Sequence, residues 1–213
     1  MSAGCVLWDW NGTLHDDVEA AVAGTNALLR HQGKRGLSLD EYRAVFSFPA
    51  RGCYEALGID ATDENWTLLC DLFFKAFAAH PSKRLFPGAT GALRALRDAG
   101  FVQAIVSSSE ISALEKALSA YGIREFFAEV AGKPDAAAGS KIDAAVALGR
   151  SLKLDPERTW VVGDTGHDKE VADALGCNCI LLATGYESEA RLRARGAAVA
   201  HSIDEVPALV ARR

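Results

Sequence analysis

Apolar residues recur along this chain in two patterns, as short unbroken runs and as stripes at helical spacing. Beyond residue 85 the patterns alternate: runs such as Phe101–Val106 and Thr159–Val162 predict buried strands, and the stripes between such runs predict amphipathic helices. The first run, Cys5–Trp8, is apolar without alternation and predicts another strand buried on both faces. Strands that alternate with helices are typical of a parallel sheet whose connections cross over in the right-handed sense.

The same two patterns predict the other elements of this alternating region. Predicted strands lie at Phe126–Ala131, Asn178–Leu182 and Val199–Ala200. Predicted helices lie at Ala89–Ala99, Ile111–Tyr121, 140–152, Asp168–Leu175, Glu187–Arg195 and Asp204–Ala211. A loop rich in glycine, proline and alanine, Lys133–Gly139, precedes the helix that starts at residue 140.

The segment between the first strand and residue 85 has a different character. Helical stripes cover Asp17–His31 and Asp63–Ala79, and we find no strand pattern anywhere in the segment. We therefore predict an all-helical cap at residues 16–85, inserted into an α/β core made of residues 1–15 and 86–213. The predicted fold class is α/β, a Rossmann-like parallel sheet with helices on both faces, plus this inserted cap.

Composition and charge narrow the classes of function. The chain has 213 residues, of which 49% are hydrophobic and 24% charged, as is usual for a globular protein with a sizeable core. The net charge of −5 argues against a nucleic-acid partner, and no apolar run is long enough to predict a membrane span. Five cysteines without zinc-ligand spacing predict reduced thiols in a cytoplasmic protein. We expect a monomer or a homodimer.

Polar side chains stand where several predicted strands or helices end. Asp9 follows the first strand, Ser107 follows Phe101–Val106, Asp164 follows Thr159–Val162, and Lys141 opens a helix. In parallel sheets, ligands bind in the crevice outside the carboxyl ends of the strands. Each residue also has an ordinary explanation, because aspartates often cap helices, serines occupy turns and lysines are usually solvated.

Together these residues fit one chemistry better than they fit separate explanations. Asp9 and Asp164 supply two carboxylates, with Asp168 one helical turn further on, and Mg²⁺ prefers such oxygen ligands. A hydroxyl from Ser107 and an ammonium from Lys141 would hold phosphoryl oxygens in the same crevice. This combination predicts phosphoryl transfer, in which a carboxylate such as Asp9 attacks phosphorus and forms an aspartyl-phosphate.

The sequence resembles the haloacid dehalogenase superfamily of hydrolases, in particular its phosphoglycolate-phosphatase-like branch with a small helical cap. The run from Asp9 to Leu14 resembles the nucleophile loop of that family, Ser107 its second motif, Lys141 its third, and Asp164 with Asp168 its fourth. Four motifs in the right order cover nearly the whole chain. Lys133, which precedes Pro134, competes with Lys141 as the third motif; the distance from Lys141 to Asp164 fits one helix plus one connection.

The resemblance implies a role for each site residue and a magnesium cofactor. The implied catalytic residues are Asp9, Asn11, Ser107 and Lys141. The implied substrate-binding residues are Gly12, Thr13, Ser108 and, from the cap, Arg51 as a contact to the leaving group. The implied metal ligands are Asp9, Asp164, Asp168 and the backbone carbonyl of Asn11. The implied partner is a small phosphorylated metabolite.

One residue departs from the pattern of the family. Phosphatases of this type usually carry a second aspartate two residues after the nucleophile, as general acid and base, and this chain has Asn11 there. An amide neither gives nor takes a proton in this role, and such proton transfer is worth roughly 10²–10⁴-fold in rate. The alternative is therefore a weak or inactive relative that binds Mg²⁺ and a phosphorylated ligand as a sensor.

Two other activities of the superfamily fit less well. Phosphonate hydrolases need a cap lysine for a Schiff base, and none of Lys34, Lys75 and Lys83 lies in the cap segment Phe48–Leu57 that should face the site. Arg51 lies in that segment, and arginine cannot form the imine. Haloacid dehalogenases work without metal, which would leave the carboxylates of the fourth motif unexplained.

Overall fold

The computed structural model describes residues 4–133 and 140–211, and its backbone confirms the predicted fold class. Its strands are β1 (Gly4–Trp8), β2 (His15–Asp16), β3 (Arg84–Leu85), β4 (Phe101–Glu110), β5 (Glu129–Lys133), β6 (Thr159–Gly163), β7 (Asn178–Leu182) and β8 (Ala198–Ala200). Its helices are α1 (Val18–His31), α2 (Leu39–Val45), α3 (Ala50–Ala56), α4 (Asp63–Ala79), α5 (Ala89–Asp98), α6 (Ile111–Ala120), α7 (Lys141–Ser151), α8 (Gly166–Leu175), α9 (Glu189–Arg193) and α10 (Val206–Val210).

Six strands form one parallel sheet in the order β5-β4-β1-β6-β7-β8. Alternate residues of each strand enter two separate cores, as β1 illustrates: Val6 and Trp8 pack with α5, α6 and α10, whereas Cys5 and Leu7 pack with α7, α8 and α9. Because both faces are covered, the central strands are apolar throughout. The central position of β1 places its carboxyl end between those of β4 and β6.

The absence of strands from the inserted segment was a wrong prediction. Asp16 pairs with Arg84, and His15 with Leu85, in a two-stranded antiparallel ribbon where the chain enters and leaves the cap. An ion pair of 3.1 Å between Arg84 and Asp16 reinforces the ribbon. Strands of two residues are too short to produce a period of two, so the sequence carried no signal for them.

Two strand boundaries also differ from the prediction. Strand β4 continues through the three serines to Glu110, which pairs with Lys133 after a shift of register beyond Val106. The three serines are therefore extended and lie at the carboxyl end of β4, not in a turn that ends the strand. Strand β5 starts at Glu129, because the chain before it, Arg124–Phe126, makes a 3₁₀ turn. Of the predicted loop 133–139, residues 134–139 lie outside the described ranges.

Helices α1–α4 form the inserted helical layer, as predicted. Helix α1 packs closely on α4: a Cβ added at Gly24 would lie 2.6 Å from the ring of Phe73. The layer contacts the core through Arg43, whose guanidinium donates to the carbonyls of Thr184 (2.6 Å) and Gly185 (2.8 Å). These contacts hold the cap over the carboxyl ends of the strands.

In residues 4–133 and 140–211, no helix combines the length and the hydrophobicity that crossing a bilayer requires. The five cysteines form no disulfide.

Candidate active site

The carboxyl ends of β1 and β6 and the start of α8 bring the predicted acidic residues together. Asp9 directly follows β1, and Asp164 directly follows β6, the neighbour of β1 in the sheet. Asp168 lies in the first turn of α8. Carboxylate oxygens of the three residues lie within 4.8 Å of one another, and all three side chains are buried.

Lys141 is the single cation among these carboxylates in the described part of the chain. It opens α7, and its Nζ donates to Oδ1 of Asp9 and, at 2.6 Å, to Oδ1 of Asp168. Its residue is only 7% exposed, so both ion pairs are shielded from water. The competing Lys133 ends β5 and is exposed, although it lines the same cavity.

Burial and charge set the protonation of the site. Burial, with the charge of Asp168 adding to it, raises the pKa of Asp9 to about 6 against the opposing charge of Lys141. Burial, together with the charges of Asp9 and Asp168, raises the pKa of Asp164 well above its usual value. Burial would also raise the pKa of Asp168, but the charge of Lys141 outweighs it and the pKa is lowered.

The balance of charge in the site favours binding of a divalent cation. Three carboxylates face one ammonium, so the ionised cluster carries an excess of two negative charges. The raised pKa values of Asp9 and Asp164 express the cost of ionising both without a further cation. Buried, clustered carboxylate oxygens are the donor set that Mg²⁺ prefers, so these residues fit the ion.

Asp168 braces the site as well as contributing charge. Its Oδ2 accepts from the backbone N–H of Asp164 (3.1 Å) and from the N–H (3.0 Å) and hydroxyl (2.8 Å) of Thr165. Its Oδ1 holds Lys141. One buried carboxylate thereby fixes the start of α8, the backbone of Asp164 and the position of the ammonium.

The loop after β1 closes over Asp164. The Thr13 hydroxyl donates to Oδ1 of Asp164 at 3.0 Å, and the backbone N–H of Tyr186 donates to its Oδ2 at 2.6 Å. Gly12 sits above this carboxylate with a φ of +75°, and a Cβ there would lie 2.3 Å from both Oδ2 of Asp164 and the ring of Tyr186. The structure thus places Gly12 and Thr13 against a candidate metal ligand.

We expect Gly12→Ala to lower the free energy of unfolding by about 1–3 kcal/mol and to weaken metal binding, because the new methyl group displaces Asp164. Gly33→Ala is the matched control, since Gly33 also has a positive φ (+68°) but nothing within 4 Å of its Cβ position. Thermal unfolding with and without Mg²⁺ measures both effects. Equal losses in the two variants would mean that backbone strain alone is responsible.

Asn11 is held by two side chains that the sequence analysis did not identify. Its amide nitrogen donates to Oδ2 of Asp17, and its amide oxygen accepts from the hydroxyl of Ser109 at 2.6 Å. Asp17 is fully buried, and its Oδ1 accepts from the backbone N–H of Gly12 (3.1 Å) and the hydroxyl of Tyr186 (3.0 Å). Asn11 is therefore a neutral link between a buried carboxylate and the end of β4.

The signals for these missed residues differ. Asp17 is the first residue of the predicted helix, where an aspartate usually acts as a cap, yet its side chain accepts no capping hydrogen bond from α1. Tyr186 lies 169 positions from Asp17, and no local pattern could have joined them. His15 completes the group: its Nδ1 lies 3.2 Å from Oδ2 of Asp17, and its ring stacks on Trp10.

The remaining predicted site residues fall into two places. Ser107 and Ser108 line the cavity above Asp9, and Ser107 is buried with its Oγ accepting from the N–H of Ser109 at 3.1 Å. Arg51 is not among the residues that line this cavity. Its guanidinium pairs with the exposed Asp63 at 2.5 Å and lies 4.5 Å from the ring centre of Trp66.

A cavity of about 680 Å³ lies between the cap and the carboxyl ends of the strands. Its floor includes Asp9, Ser107, Lys141 and Asp164, and its cap side is lined mainly by aromatic and aliphatic side chains. Volumes of about 300–1,000 Å³ are typical of small-molecule sites. The candidate catalytic groups thus lie at one end of a cavity of ligand size.

Comparisons with known proteins show which family and which structures this chain is similar to. The sequence profile of the family described as haloacid dehalogenase-like hydrolase matches residues 6–182. The phosphoglycolate phosphatase of Cereibacter sphaeroides is 28% identical over 190 residues, which cover 85% of each protein. The crystal structure of a predicted phosphatase from Clostridium acetobutylicum matches with a TM-score of 0.82 at 21% identity and covers 99% of both chains.

A relative with a different named activity is equally similar in sequence. The tyrosine-protein kinase PtkA of Mycobacterium tuberculosis is 28% identical over 182 residues, or 85% of this chain. The match covers 62% of that kinase, so this chain spans less than two thirds of its length.

Proposed function

Because this chain belongs to the haloacid dehalogenase-like hydrolase family, as its four motifs predicted, we propose that it is a Mg²⁺-dependent phosphatase of a small phosphorylated metabolite. The single observation that carries the proposal is the buried cluster of Asp9, Asp164 and Asp168 around Lys141 at the floor of the cavity. Stability alone does not explain why carboxylates outnumber the ammonium at the end of a ligand-sized cavity.

The proposed reaction starts with attack of an Asp9 carboxylate oxygen on phosphorus. The bond from phosphorus to the ester oxygen breaks, the leaving oxygen takes a proton from water and departs as the alcohol, and an aspartyl-phosphate remains. Water then attacks that phosphorus, which releases inorganic phosphate and restores Asp9. Lys141 orients Asp9 through their ion pair, and the hydroxyls of Ser107 and Ser108 are placed to donate to phosphoryl oxygens.

The other proposed roles follow from position. Asp9, Asp164 and the carbonyl of Asn11 would hold Mg²⁺, with Asp168 supporting the site, and the ion would neutralise charge on the phosphoryl group and its attacker. Gly12 and Thr13 would shape the loop against the phosphoryl group. Arg51 could contact a leaving group only after releasing Asp63.

The phosphatase is favoured over the other activities that the relatives or the family suggest. The phosphatase relative matches over 85% of its own length, whereas the kinase matches over 62%. A phosphonate hydrolase would need a cap lysine in the cavity, and among the described residues the lining lysines are Lys133 and Lys141, both in the core. The cap residue Lys83 donates instead to three backbone carbonyls.

One observation supports a second candidate, a sensor that binds a phosphorylated ligand without turning it over. Asn11 offers no proton to a leaving alcohol, and its amide is already hydrogen-bonded to Asp17 and Ser109. A slow or absent chemical step would leave the same site with saturable binding. Measuring binding and release of phosphate on the same preparation separates the two candidates.

The proposal is tested by assaying phosphate release from a panel of phosphate monoesters with Mg²⁺ and with EDTA. We expect release to require Mg²⁺ and to be lost in Asp164→Asn, whose amide can still accept from Tyr186 and can donate to the Thr13 hydroxyl. Adding ATP with tyrosine peptides tests the kinase activity named for PtkA. Full activity in EDTA would contradict the metal-dependent mechanism, and saturable binding without release would support the sensor.

A further inference from the structure

The cap side of the cavity is apolar to an unusual degree for a site that would hold a small anionic metabolite. Eight aromatic side chains of the cap line it, among them Tyr54, Trp66, Phe73 and Phe74. The other cap residues in the lining are Ala50, Leu69 and Cys70, so the cap contributes no charged side chain to the wall. The alcohol that leaves phosphorus with the ester oxygen must fit against this wall.

No lysine or arginine of the cap, residues 16–85 of the described chain, lines the cavity, and three of them have partners elsewhere. Arg51 pairs with Asp63, Arg43 donates to carbonyls of the core, and Lys83 donates to carbonyls of its own layer. In the described residues, the second lysine that lines the cavity is Lys133, an exposed residue of the core whose backbone pairs with that of Glu110, which lines the cavity as well. A carboxylate that lies against the cap would face aromatic rings, and burying an unpaired charge there is costly.

Two large apolar side chains at this cavity are exposed to solvent. Phe74 is 62% exposed on α4, and Phe48 is 45% exposed in the turn before α3, where its ring lies 5.5 Å from that of His167. Most exposed apolar side chains on a surface need no explanation, but these two continue an aromatic wall outward from a ligand site. An apolar ligand that reaches them would remove their surface from water.

We propose that the leaving group is an uncharged alcohol with an aromatic or bulky apolar body, so that the substrate is a phosphate monoester of such an alcohol. This inference rests on the proposed function for the position of the phosphoryl group, which lies against Asp9, Ser107 and Lys141. The apolar body fills the space between that floor and Phe74. A cavity of about 680 Å³ suits a ligand of this size, and a two-carbon acid would leave most of it empty.

The test compares three phosphonates, which the protein cannot hydrolyse, by calorimetry on the full chain with Mg²⁺. 3-Phenylpropylphosphonate carries an aryl body, propylphosphonate lacks it, and 3-phosphonopropionate has a carboxylate in place of the terminal methyl group of propylphosphonate. We expect the aryl ligand to bind about 10–200-fold more tightly than propylphosphonate, and 3-phosphonopropionate to bind most weakly. Binding of the aryl ligand should also show the negative heat-capacity change that accompanies burial of apolar surface.

Two variants of Phe74 test whether the aryl group binds in the cavity. Phe74→Ala should reduce the preference for the aryl ligand by about tenfold, and Phe74→Arg should shift the preference toward 3-phosphonopropionate. Leu68→Ala is the matched control, because Leu68 is an exposed apolar residue (46%) of the same helix that does not line the cavity. It should leave all three affinities unchanged.

The outcomes separate this inference from the proposed function. The inference is overturned if 3-phosphonopropionate binds as tightly as the aryl ligand, if none of the three binds, or if Phe74→Ala and Leu68→Ala behave alike. If the phosphonates bind in the expected order but 2-phenylethyl phosphate releases no phosphate, the phosphatase proposal fails and the ligand class stands. 2-Phenylethyl phosphate, ethyl phosphate and phosphoglycolate all release a primary alcohol. Differences between their hydrolysis rates therefore reflect the fit of the alcohol in the pocket and not the chemical type of the leaving group.

Discussion

Asp9→Asn is expected to reduce phosphate release by about 10⁶-fold, the scale of loss when an attacking side chain is removed from a hydrolase. The substitution keeps an oxygen that can accept from Lys141, and Lys141 keeps its second partner, Asp168. The backbone N–H of Asp9 still donates to the carbonyl of Val162. The loss should therefore come from the missing carboxylate, as nucleophile and as metal ligand, and not from a rearranged site.

The pH dependence of the unfolding temperature provides the control for Asp9→Asn. Burial raises the pKa of Asp9 from 3.8 to about 6, so ionising Asp9 opposes folding increasingly as the pH rises from about 4 to about 6, and fully above that. Without metal, Asp9→Asn should unfold at the same temperature as the unmodified protein or at a higher one near pH 7.5. The difference should shrink as the pH falls from about 6 and should vanish below about pH 3, where Asp9 is protonated in both states.

The covalent intermediate gives a second measurement. Rapid acid quenching followed by borohydride reduction converts an aspartyl-phosphate to homoserine, which mass spectrometry can locate at position 9. Asp143→Asn, in the first turn of α7 and outside the cavity lining, is expected to retain activity and the same label. Near-normal turnover by Asp9→Asn, or label at another residue, would contradict the role of Asp9.

The floor of the site could be predicted because topology determines it. Strands of a parallel sheet end at one edge, so a carboxylate after each of two runs, Asp9 and Asp164, is brought to one crevice whatever the details of packing. Lys141 was chosen over Lys133 from the length of one connection, and the structure places its ammonium against Asp9. These arguments need only the order and ends of elements.

The roof and the support of the site could not be predicted in the same way. The stripe of Phe73, Phe74 and Phe77 indicates a helix and an apolar face, but which rings face the α1 side and which face the cavity depends on how α4 packs against its neighbours. The hydrogen bond from Tyr186 in the core to Asp17 at the start of α1 joins residues far apart in sequence. Such contacts follow from tertiary packing and leave no local period.

The side chain of Asn11 shows how such a contact changes an expectation. From the sequence alone, Asn11→Asp would simply restore the acid and base that related phosphatases carry. In the structure the amide nitrogen of Asn11 donates to Asp17, so a carboxylate there would face a second carboxylate with no donor between them. One of the two would retain a proton, as in other buried pairs of acids, and the local hydrogen bonds would change.

Exchanging the two residues, Asn11→Asp with Asp17→Asn, avoids this conflict. The amide at position 17 can donate to the new carboxylate at position 11 and to Nδ1 of His15, while its oxygen still accepts from the N–H of Gly12 and the hydroxyl of Tyr186. His15 then carries its proton on Nε2, which faces the hydroxyl of Tyr121. Net charge and the number of hydrogen bonds are both kept.

We expect the exchange to raise kcat by up to about 10²–10⁴-fold, because a carboxyl group beside the leaving oxygen supplies the proton transfer that Asn11 cannot. Asn11→Asp alone should gain less, and Asp17→Asn alone should gain nothing, since it leaves the amide at position 11. Asn11-Gly12 is a sequence in which asparagine slowly hydrolyses to aspartate, so mass spectrometry of the peptide must accompany each assay. If the exchanged protein folds, binds Mg²⁺ and shows no gain on a good substrate, the proton is moved by another group, and the absence of an aspartate at position 11 does not limit this protein.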